Sequence, residues 1–294
     1  MLSIWLGVLP PAPEAHGATT YYVATNGLDT GANDGLSWAQ PFKTISNAVA
    51  RATNDDVVMV SNGLYTLSAT LRITNAITLQ STNGAYSTII SGNNAVQCLN
   101  VSNGNARVDG FTIVRGAVSG KGGGLYCYNG LIANCVITNN AVSLGGGSAD
   151  GGGGVYLLNG TVSNCLIAFN TGTYGSGGGI RVGSANGLVT HCRIVNNYGA
   201  NLSSGACLFD GGVLRNCLIA GNWSIGPGAV SLSGGAAMQN CTVVANVSPQ
   251  VNAVDIGWAA APSIVNSIIR DNIYQISAPT NFGYAPIVTY SCLE

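Results

Sequence analysis

The chain has 294 residues, of which 47% are hydrophobic, only 7% are Asp, Glu, Lys or Arg, and 42 are glycine. This composition excludes an intrinsically disordered chain, because disordered chains are highly charged and poor in apolar residues. The formal net charge of −1 disfavours nucleic acid and anionic membrane surfaces as the main partner, since both are bound by basic faces.

The N-terminus carries an apolar segment from Leu2 to Leu9, followed by proline-rich sequence and by small residues at Ala15 and Gly17. This pattern is typical of a secretory signal with its cleavage site, and a disordered leader is the alternative. We therefore predict that residues 1–18 form a leader segment and that the protein is secreted or displayed on the cell surface. No other apolar run reaches the roughly 20 residues that a membrane-spanning helix needs.

A short amphipathic helix is predicted between Pro41 and Ala52. Proline is favoured in the first turn of a helix, and apolar residues recur in this segment at helical spacing, namely Phe42, Ile45, Ala48 and Val49. Just before this segment, Asp29, Asn33 and Asp34 supply oxygen atoms of the kind that bind calcium. The alternative for these three residues is a turn stabilised by their side chains.

From residue 108 onward a short motif recurs, typified by Asn164-Cys165-Leu166-Ile167-Ala168-Phe169-Asn170. Successive cysteines of the motif lie 24 to 30 residues apart, which is the length of one coil in a solenoid. Two apolar columns accompany the motif, one three residues before the cysteine position and one two residues after it. The first column is Val108, Ile132, Val162, Val189, Leu214, Met238 and Ile264, and the second is Ile113, Ile137, Ile167, Ile194, Ile219, Val243 and Ile269. Their alternation with polar residues predicts strands with one buried face.

The cysteines of the motif form a third column, which is predicted to point inward: Cys135, Cys165, Cys192, Cys217 and Cys241. Parallel side chains about 4.8 Å apart point the same way rather than at each other, which favours a stack of free thiols over disulfides. Disulfides remain the alternative in a secreted chain with nine cysteines. The Asn before each Cys is predicted to lie at a bend and to bond the backbone of neighbouring coils. His191 takes the place of that Asn, so we interpret it as a turn residue and not as a metal ligand.

These repeats, together with Tyr21–Ala24, Asn33–Trp38, Pro41–Ile45 and Asp56–Tyr65 near the N-terminus, resemble the right-handed parallel β-helix (pectin-lyase-like) superfamily of secreted bacterial proteins. The resemblance covers nearly the whole chain. It implies an all-β fold, a right-handed parallel β-helix in which the helix predicted above caps the N-terminal end. Residues 19–56 would form the N-terminal module and cap, and residues 57–294 the solenoid, which we expect to be truncated at the C-terminus.

Lyases on this fold use grouped carboxylates with calcium and an Arg or Lys base, and hydrolases on it use two or three Asp residues. Either arrangement needs carboxylates in the same or adjacent columns of neighbouring coils. The columns two residues before and one residue after the cysteine position contain no such group, so the resemblance carries over no catalytic motif. The remaining candidates lie on one coil, namely Arg107, Asp109, Arg115 and Lys121. Solvated surface charge is the alternative.

Aromatic residues offer a different kind of site. Tyr198 and Trp223 follow the last Asn of the motif in successive coils, and Tyr174 lies in the loop of the preceding coil. Exposed aromatic rings present flat apolar faces on which pyranose rings can stack. The alternative is that these rings pack against the wall of the coil.

We therefore predict a secreted or cell-surface β-helix module without catalytic activity, which binds a polysaccharide or cell-surface glycan or acts as an adhesin-like structural element. The alternative is a polysaccharide lyase or related carbohydrate-active enzyme with its site between Asp109 and Lys121. A third hypothesis is a purely structural filament subunit. No cofactor is predicted other than calcium at Asp29, Asn33 and Asp34, and the sequence does not specify the oligomeric state.

Overall fold

The computed structural model describes residues 17–31, 33–143, 150–173, 177–200, 203–226, 228–249, 253–257, 261–272, 276–277 and 287–293. In these ranges the chain winds as a solenoid whose strands form four parallel sheets. Between residues 107 and 232, each coil contributes one strand to each of the four sheets in turn before the chain returns to the first sheet. This pattern confirms the right-handed parallel β-helix that the sequence predicted.

The strands of the described residues are as follows. Sheet A contains Thr20–Val23, Val57–Val60, Thr78–Ser81, Arg107–Asp109, Leu131–Ala133, Gly160–Ser163, Gly187–Thr190, Val213–Arg215, Ala237–Gln239, Ser263–Val265 and Ile287–Thr289. Sheet B contains Gly63–Thr66, Thr88–Ser91, Thr112–Val114, Val136–Thr138, Leu166–Ala168, Arg193–Val195, Leu218–Ala220, Thr242–Val244, Ile268–Arg270 and Cys292–Leu293. Sheet C contains Leu71–Ile73, Leu99–Val101, Leu125–Cys127, Val155–Leu157, Ile180–Val182, Ala206–Leu208, Val230–Leu232, Val254–Ile256 and Ile276–Ser277. Sheet D contains Ala117–Ser119, Ala141–Ser143, Thr171–Gly172, Tyr198–Gly199 and Trp223–Ser224.

The two predicted apolar columns form the core of sheets A and B. In sheet A, Val108 pairs with Ile132 and Ile132 pairs with Val162. In sheet B, Ile113 and Ile137 are paired in the same way. All members of both columns are fully buried. The alternation of apolar and polar residues in the sequence therefore predicted correctly both the register of the strands and the face of each strand that points inward.

The helix spans Ile45–Arg51, and Thr44 is its N-cap. The Oγ1 atom of Thr44 accepts a hydrogen bond from the backbone N–H of Asn47 at 3.3 Å. The predicted start at Pro41 was wrong because Phe42 belongs to the sheet: its N–H donates to the carbonyl of Tyr22 at 2.9 Å. The helix packs on sheet strands through the buried side chains of Ile45 and Ala48. In the part of the chain that the structure describes, no helix has the length and apolar character needed to cross a membrane.

The predicted column of cysteines lines the bend between sheets A and B from the inside. All five thiols are free and buried, and each donates to the carbonyl two residues earlier, as Cys192 Sγ does to Thr190 at 3.2 Å. This confirms the stack of thiols. The neighbouring thiols of Cys135 and Cys192, together with burial, raise the pKa of Cys165 well above its ordinary value.

The Asn residues that precede the cysteines have left-handed backbone conformations, with φ between 50° and 54°, and His191 shares this conformation with φ 53°. We call this series the outer Asn row. Its side chains bond one another, as in Asn164 Nδ2 to Asn134 Oδ1 at 2.7 Å and Asn240 Nδ2 to Asn216 Oδ1 at 3.1 Å. The expectation that they bond the backbone of neighbouring coils was wrong. These side chains lie on the solvent side of the bend, where the nearest partner is the same side chain one coil away.

A second series, the inner Asn row, ends each motif at the bend after sheet B and consists of Asn140, Asn170, Asn197, Asn222 and Asn246, all buried. Asn197 Nδ2 donates to Asn222 Oδ1 at 3.0 Å and to the carbonyl of Ile167 at 2.9 Å. Its Oδ1 accepts from the backbone N–H and from Nδ2 of Asn170, both at 3.0 Å. Each buried amide is thereby satisfied, which is the condition for placing polar groups in a core.

Candidate functional site

Sheet D carries the predicted aromatic pair. Tyr198 and Trp223 stand in register on adjacent strands. Each directly follows a buried member of the inner Asn row, and alternation along the strand therefore turns the aromatic side chain outward. Their ring centroids are 5.0 Å apart with an interplanar angle of 18°, and Trp223 is 44% exposed. Tyr174, the third predicted member of the site, lies outside the described residues.

The stacking geometry determines which surfaces of the pair remain available. Because the strand repeat of about 4.8 Å sets the distance between the rings, their facing surfaces cover each other. The pair therefore presents ring edges to solvent, together with the face of Trp223 that points away from Tyr198. On that side the next coil contributes Val247, which forms a parallel bridge with Trp223.

Further apolar side chains extend this exposed edge. Phe169 is 57% exposed at the bend before sheet D, and Ile225 and Val247 are 41% and 39% exposed beside Trp223. We call Phe169, Tyr198, Trp223, Ile225 and Val247 the aromatic strip. Neighbouring exposed apolar side chains on a soluble protein mark an interaction surface more often than scattered ones do.

Of the four residues predicted as catalytic candidates, only Arg107 and Asp109 are brought together. Arg107 Nε donates to Asp109 Oδ2 at 2.9 Å, and Asn134 Nδ2 donates to Asp109 Oδ1 at 2.7 Å. Both carboxylate oxygens are thus engaged on sheet A. Arg115 lies at the bend after sheet B, with φ 53°, and Lys121 lies just before a strand of sheet C. The coil therefore spreads these charges over different sides of the solenoid.

The predicted calcium candidates hold the N-terminal module together. Asp29 Oδ1 accepts from the backbone N–H groups of Lys43 and Thr44 at 2.9 and 3.0 Å. Asp34 Oδ1 accepts from the N–H of Leu36 at 2.9 Å. These N–H donors engage one oxygen of each carboxylate, as in the alternative of a turn stabilised by side chains. Within the described residues, no group of three or more His, Cys, Asp or Glu side chains is placed to hold a metal.

A cluster on the outer face of sheet C was missed at the sequence level. Lys121 Nζ lies 5.1 Å from the ring centroid of Tyr156, and Arg181 Cζ lies 5.8 Å from it, within the range of cation–π contacts. Tyr126 meets Tyr156 edge to face at 5.4 Å, and Tyr128 meets Tyr126 in the same way at 6.5 Å. We call these five residues the cationic–aromatic cluster.

Burial and partners differ strongly within this cluster. Arg181 is only 2% exposed, lies 5.0 Å above the ring of Phe209 and donates through Nη1 to the carbonyl of Asp150 at 3.4 Å. Tyr128, in contrast, is 45% exposed. Burial, followed by the neighbouring Tyr156, raises the pKa of Tyr126. The phenol of Tyr126 is therefore a hydrogen-bonding group at neutral pH and not a phenolate base.

A signal for this cluster is present in the sequence. Tyr126, Tyr156 and Arg181 each occupy the second position after a run of three or four glycines, and the structure pairs them in register. Alignment on the cysteine position exposes only the columns of sheets A and B. Alignment on the glycine runs would have revealed an outward column with aromatic and cationic members.

Comparison with known proteins agrees with this architecture. Residues 147–285 match the family model described as right handed beta helix region. The crystal structure of pectate lyase Pel9A matches with a TM-score of 0.60 and 16% identity, covering 94% of this chain and 79% of that chain. A pectin methylesterase from Aspergillus niger has a TM-score of 0.49 and 18% identity, covering 96% of this chain and 85% of the other. No curated protein sequence matches the chain. The chain folds as a right-handed parallel β-helix.

Proposed function

We propose that this protein is an extracellular β-helix module that binds a glycan through the aromatic strip of sheet D and performs no chemistry on it. The observation that carries the proposal is the exposed, stacked pair of Tyr198 and Trp223. The ring edges and the outer face of Trp223 offer an apolar surface to the C–H groups of a sugar. Ile225 and Val247 extend that surface by apolar area of the same character.

Preorganisation supports binding at this place. Side chains that must be immobilised on binding reduce affinity through lost rotamer entropy. Tyr198 and Trp223 are already held against each other at 5.0 Å, and their strands are fixed in register by the inner Asn row. A ligand would therefore meet rings whose orientation is set before it arrives.

The state of the carboxylates supports a role without catalysis. A general acid or base must reach the substrate with a proton-transferring atom. Asp109 is bonded through both oxygens, and Asp56 accepts the backbone N–H groups of Thr19 and Thr53 at 2.7 Å each. Asp29 is likewise bound to backbone N–H groups. Asp29 and Asp56 are used to fix the backbone, and Asp109 is used to bond the side chains of Arg107 and Asn134.

The proposal includes the organisation of the chain. Residues 1–18 act as a secretory leader, residues 19–56 as the N-terminal module, and residues 57–294 as the solenoid. The helix Ile45–Arg51 caps the first coil, a role supported by its buried Ile45 and Ala48 and by its packing on strands of sheets A and C. A cap of this kind shields apolar groups and strand edges that would otherwise be open.

Affinity electrophoresis and calorimetry against a panel of neutral and acidic polysaccharides test the binding site. We expect retention by one glycan class, and we expect Tyr198→Ala combined with Trp223→Ala to lower the affinity at least about ten-fold. Tyr290→Ala is the matched control, because Tyr290 is 90% exposed and lies outside the strip. Unchanged retention by the double variant would show that the strip is not the binding site.

A second candidate function is that of a polysaccharide lyase or related carbohydrate-active enzyme, and the cationic–aromatic cluster is the observation that favours it. Lys121, which is partly exposed, places a positive charge beside Tyr156, an arrangement that could receive a carboxylate of an acidic polysaccharide. The pectate lyase that shares the fold makes that reaction class the one to test. Such an enzyme would release unsaturated products and would lose activity on Lys121→Ala.

A further inference from the structure

A groove with a volume of about 400 Å³ lies at the N-terminal end of the solenoid, beside the bend between sheets A and B. Trp38 forms one side of this groove, and three amide side chains, Asn26, Asn62 and Asn83, are among the other lining groups. The volume falls within the range of about 300–1,000 Å³ that is usual for small-ligand sites. We call it the Trp38 groove.

Trp38 is held so that its indole remains accessible. The turn that carries it is closed by a hydrogen bond from the N–H of Gly35 to the carbonyl of Gln40 at 3.0 Å, and Gly35 in turn accepts from the N–H of Tyr22 at 2.7 Å. The ring of Tyr22 supports the indole at 4.6 Å with an interplanar angle of 58°. This tilted contact covers less of the ring face than parallel stacking would, and Trp38 is 47% exposed.

The amides provide oriented hydrogen-bonding groups. Asn62 and Asn83 follow adjacent strands of sheet A, and Asn83 Nδ2 donates to Asn62 Oδ1 at 2.9 Å. This bond fixes the orientation of both amides. The other two amide atoms are Asn62 Nδ2, a donor, and Asn83 Oδ1, an acceptor. Within the described residues, neither atom makes a hydrogen bond to another group. A donor and an acceptor about one coil apart match a pair of sugar hydroxyls, each of which can donate and accept.

The chemistry of the groove selects an uncharged ligand. Its remaining lining groups include the hydroxyls of Ser61 and Thr82, so none of the lining side chains is ionisable. Binding of a carboxylate, sulfate or phosphate would require a cation or a set of N–H donors aimed at the anion. An aromatic ring beside amides and hydroxyls instead suits a polar, uncharged ring compound with one apolar face.

We infer that the Trp38 groove is a second binding site, for a neutral hexopyranose unit of a glycan. The C–H face of the sugar lies on the indole of Trp38, and its hydroxyls bond Asn62 and Asn83. The site does not depend on the aromatic strip, since sheet D and the bend between sheets A and B lie at different positions on the coil. With both sites occupied, one chain would hold a glycan at two points. The overall affinity would then exceed that of either site alone.

Titration of the full chain, labelled with ¹⁵N, tests this inference. The probes are neutral hexasaccharides of glucose, mannose and galactose, with hexagalacturonic acid as the charged counterpart. The indole N–H signal of Trp38 is identified by its loss in Trp38→Phe. We expect one neutral hexasaccharide to shift this signal. Calorimetry should show an affinity at least about ten-fold lower in Asn62→Ala combined with Asn83→Ala, and unchanged in the control Tyr290→Ala. Trp223→Ala is measured alongside to detect binding at the aromatic strip.

The paired variants separate this site from the aromatic strip. Asn62 and Asn83 are exposed, so their substitution leaves the core intact even if Trp38→Ala fails to fold. The inference is overturned if no neutral hexasaccharide shifts the Trp38 signal, if hexagalacturonic acid binds more tightly at Trp38, or if only Trp223→Ala lowers the affinity. The last result would leave the aromatic strip supported and the Trp38 groove rejected.

Discussion

The two Asn rows use the same residue type at two bends of the same coil, yet they differ in what they contribute. In the inner Asn row, each amide is buried and bonds both the backbone and the next amide, as Asn197 does. In the outer Asn row, exposed amides bond side chains of the neighbouring coil, as Asn240 Nδ2 does to Asn216 Oδ1. The comparison teaches that the interior amides hold the coils in register, while the exposed amides add only contacts at the surface.

The largest expected effect comes from removing a member of the inner Asn row. Asn197→Ala removes the buried hydrogen bonds that this side chain makes to the carbonyl of Ile167, to the backbone N–H and side chain of Asn170, and to Asn222 Oδ1. We expect the free energy of unfolding to fall by about 3 kcal/mol, measured by chemical denaturation.

The matched control for this substitution is Asn216→Gly in the outer Asn row. Glycine removes the side chain without strain, because residue 216 has φ 54°. We expect a change of less than about 1 kcal/mol. Equal effects of the two variants would refute the distinction between the rows.

An intermediate effect is expected from the buried thiols at alkaline pH. Burial raises the pKa of Cys98 and of Cys127 to about 12, whereas the unfolded chain ionises thiols near pH 8.5. Unfolding then releases protons, so the stabilising contribution is complete below about pH 8.5 and is lost as the pH rises toward 12. At pH 9.5 we expect a loss of about 1 kcal/mol per thiol.

Chemical denaturation at pH 7 and pH 9.5 measures this loss. The combined variant Cys98→Ser and Cys127→Ser should lose less stability between the two pH values than the parent chain does. An identical decrease in both proteins would mean that these thiols do not titrate differently in the folded and unfolded states.

The smallest effect is expected at the surface ion pair of Arg107 and Asp109. The side chain of Arg107 is 40% exposed, and partly exposed pairs contribute about 0–1 kcal/mol. Asp109→Asn should therefore lower the melting temperature by no more than a few degrees. It should leave glycan retention unchanged, and a loss of retention would assign Asp109 to the binding surface.

The regular part of the fold was predictable because every coil repeats the same physical requirement. Each strand must bury one face, so Val108, Ile132 and Val162 form a column in the sequence before they form one in the structure. The cysteine stack followed from the same alternation. The helix start was mispredicted because the backbone of Phe42 is used by a long-range sheet contact, which local spacing does not reveal.

The sites were less predictable because they depend on how neighbouring side chains meet. The position of Tyr198 beside Trp223 followed from the repeat, but the parallel stacking that covers two of their faces did not. The Trp38 groove is formed by Trp38 on a turn and by Asn62 and Asn83 on two separate coils. No single sequence motif therefore contains all three residues. Lys121 and Arg181 converge on Tyr156 across a sheet whose columns the cysteine alignment does not display.

The central claim is that this β-helix binds a glycan without transforming it, and incubation with the polysaccharide panel, with and without calcium, tests it most directly. Ultraviolet absorbance would detect unsaturated lyase products, and a reducing-end assay would detect hydrolysis. Our account predicts no product, together with retention on a glycan that is lost when Tyr198 and Trp223 are both replaced by Ala. Product formation that disappears in Lys121→Ala would contradict it and would identify the cationic–aromatic cluster as an active site.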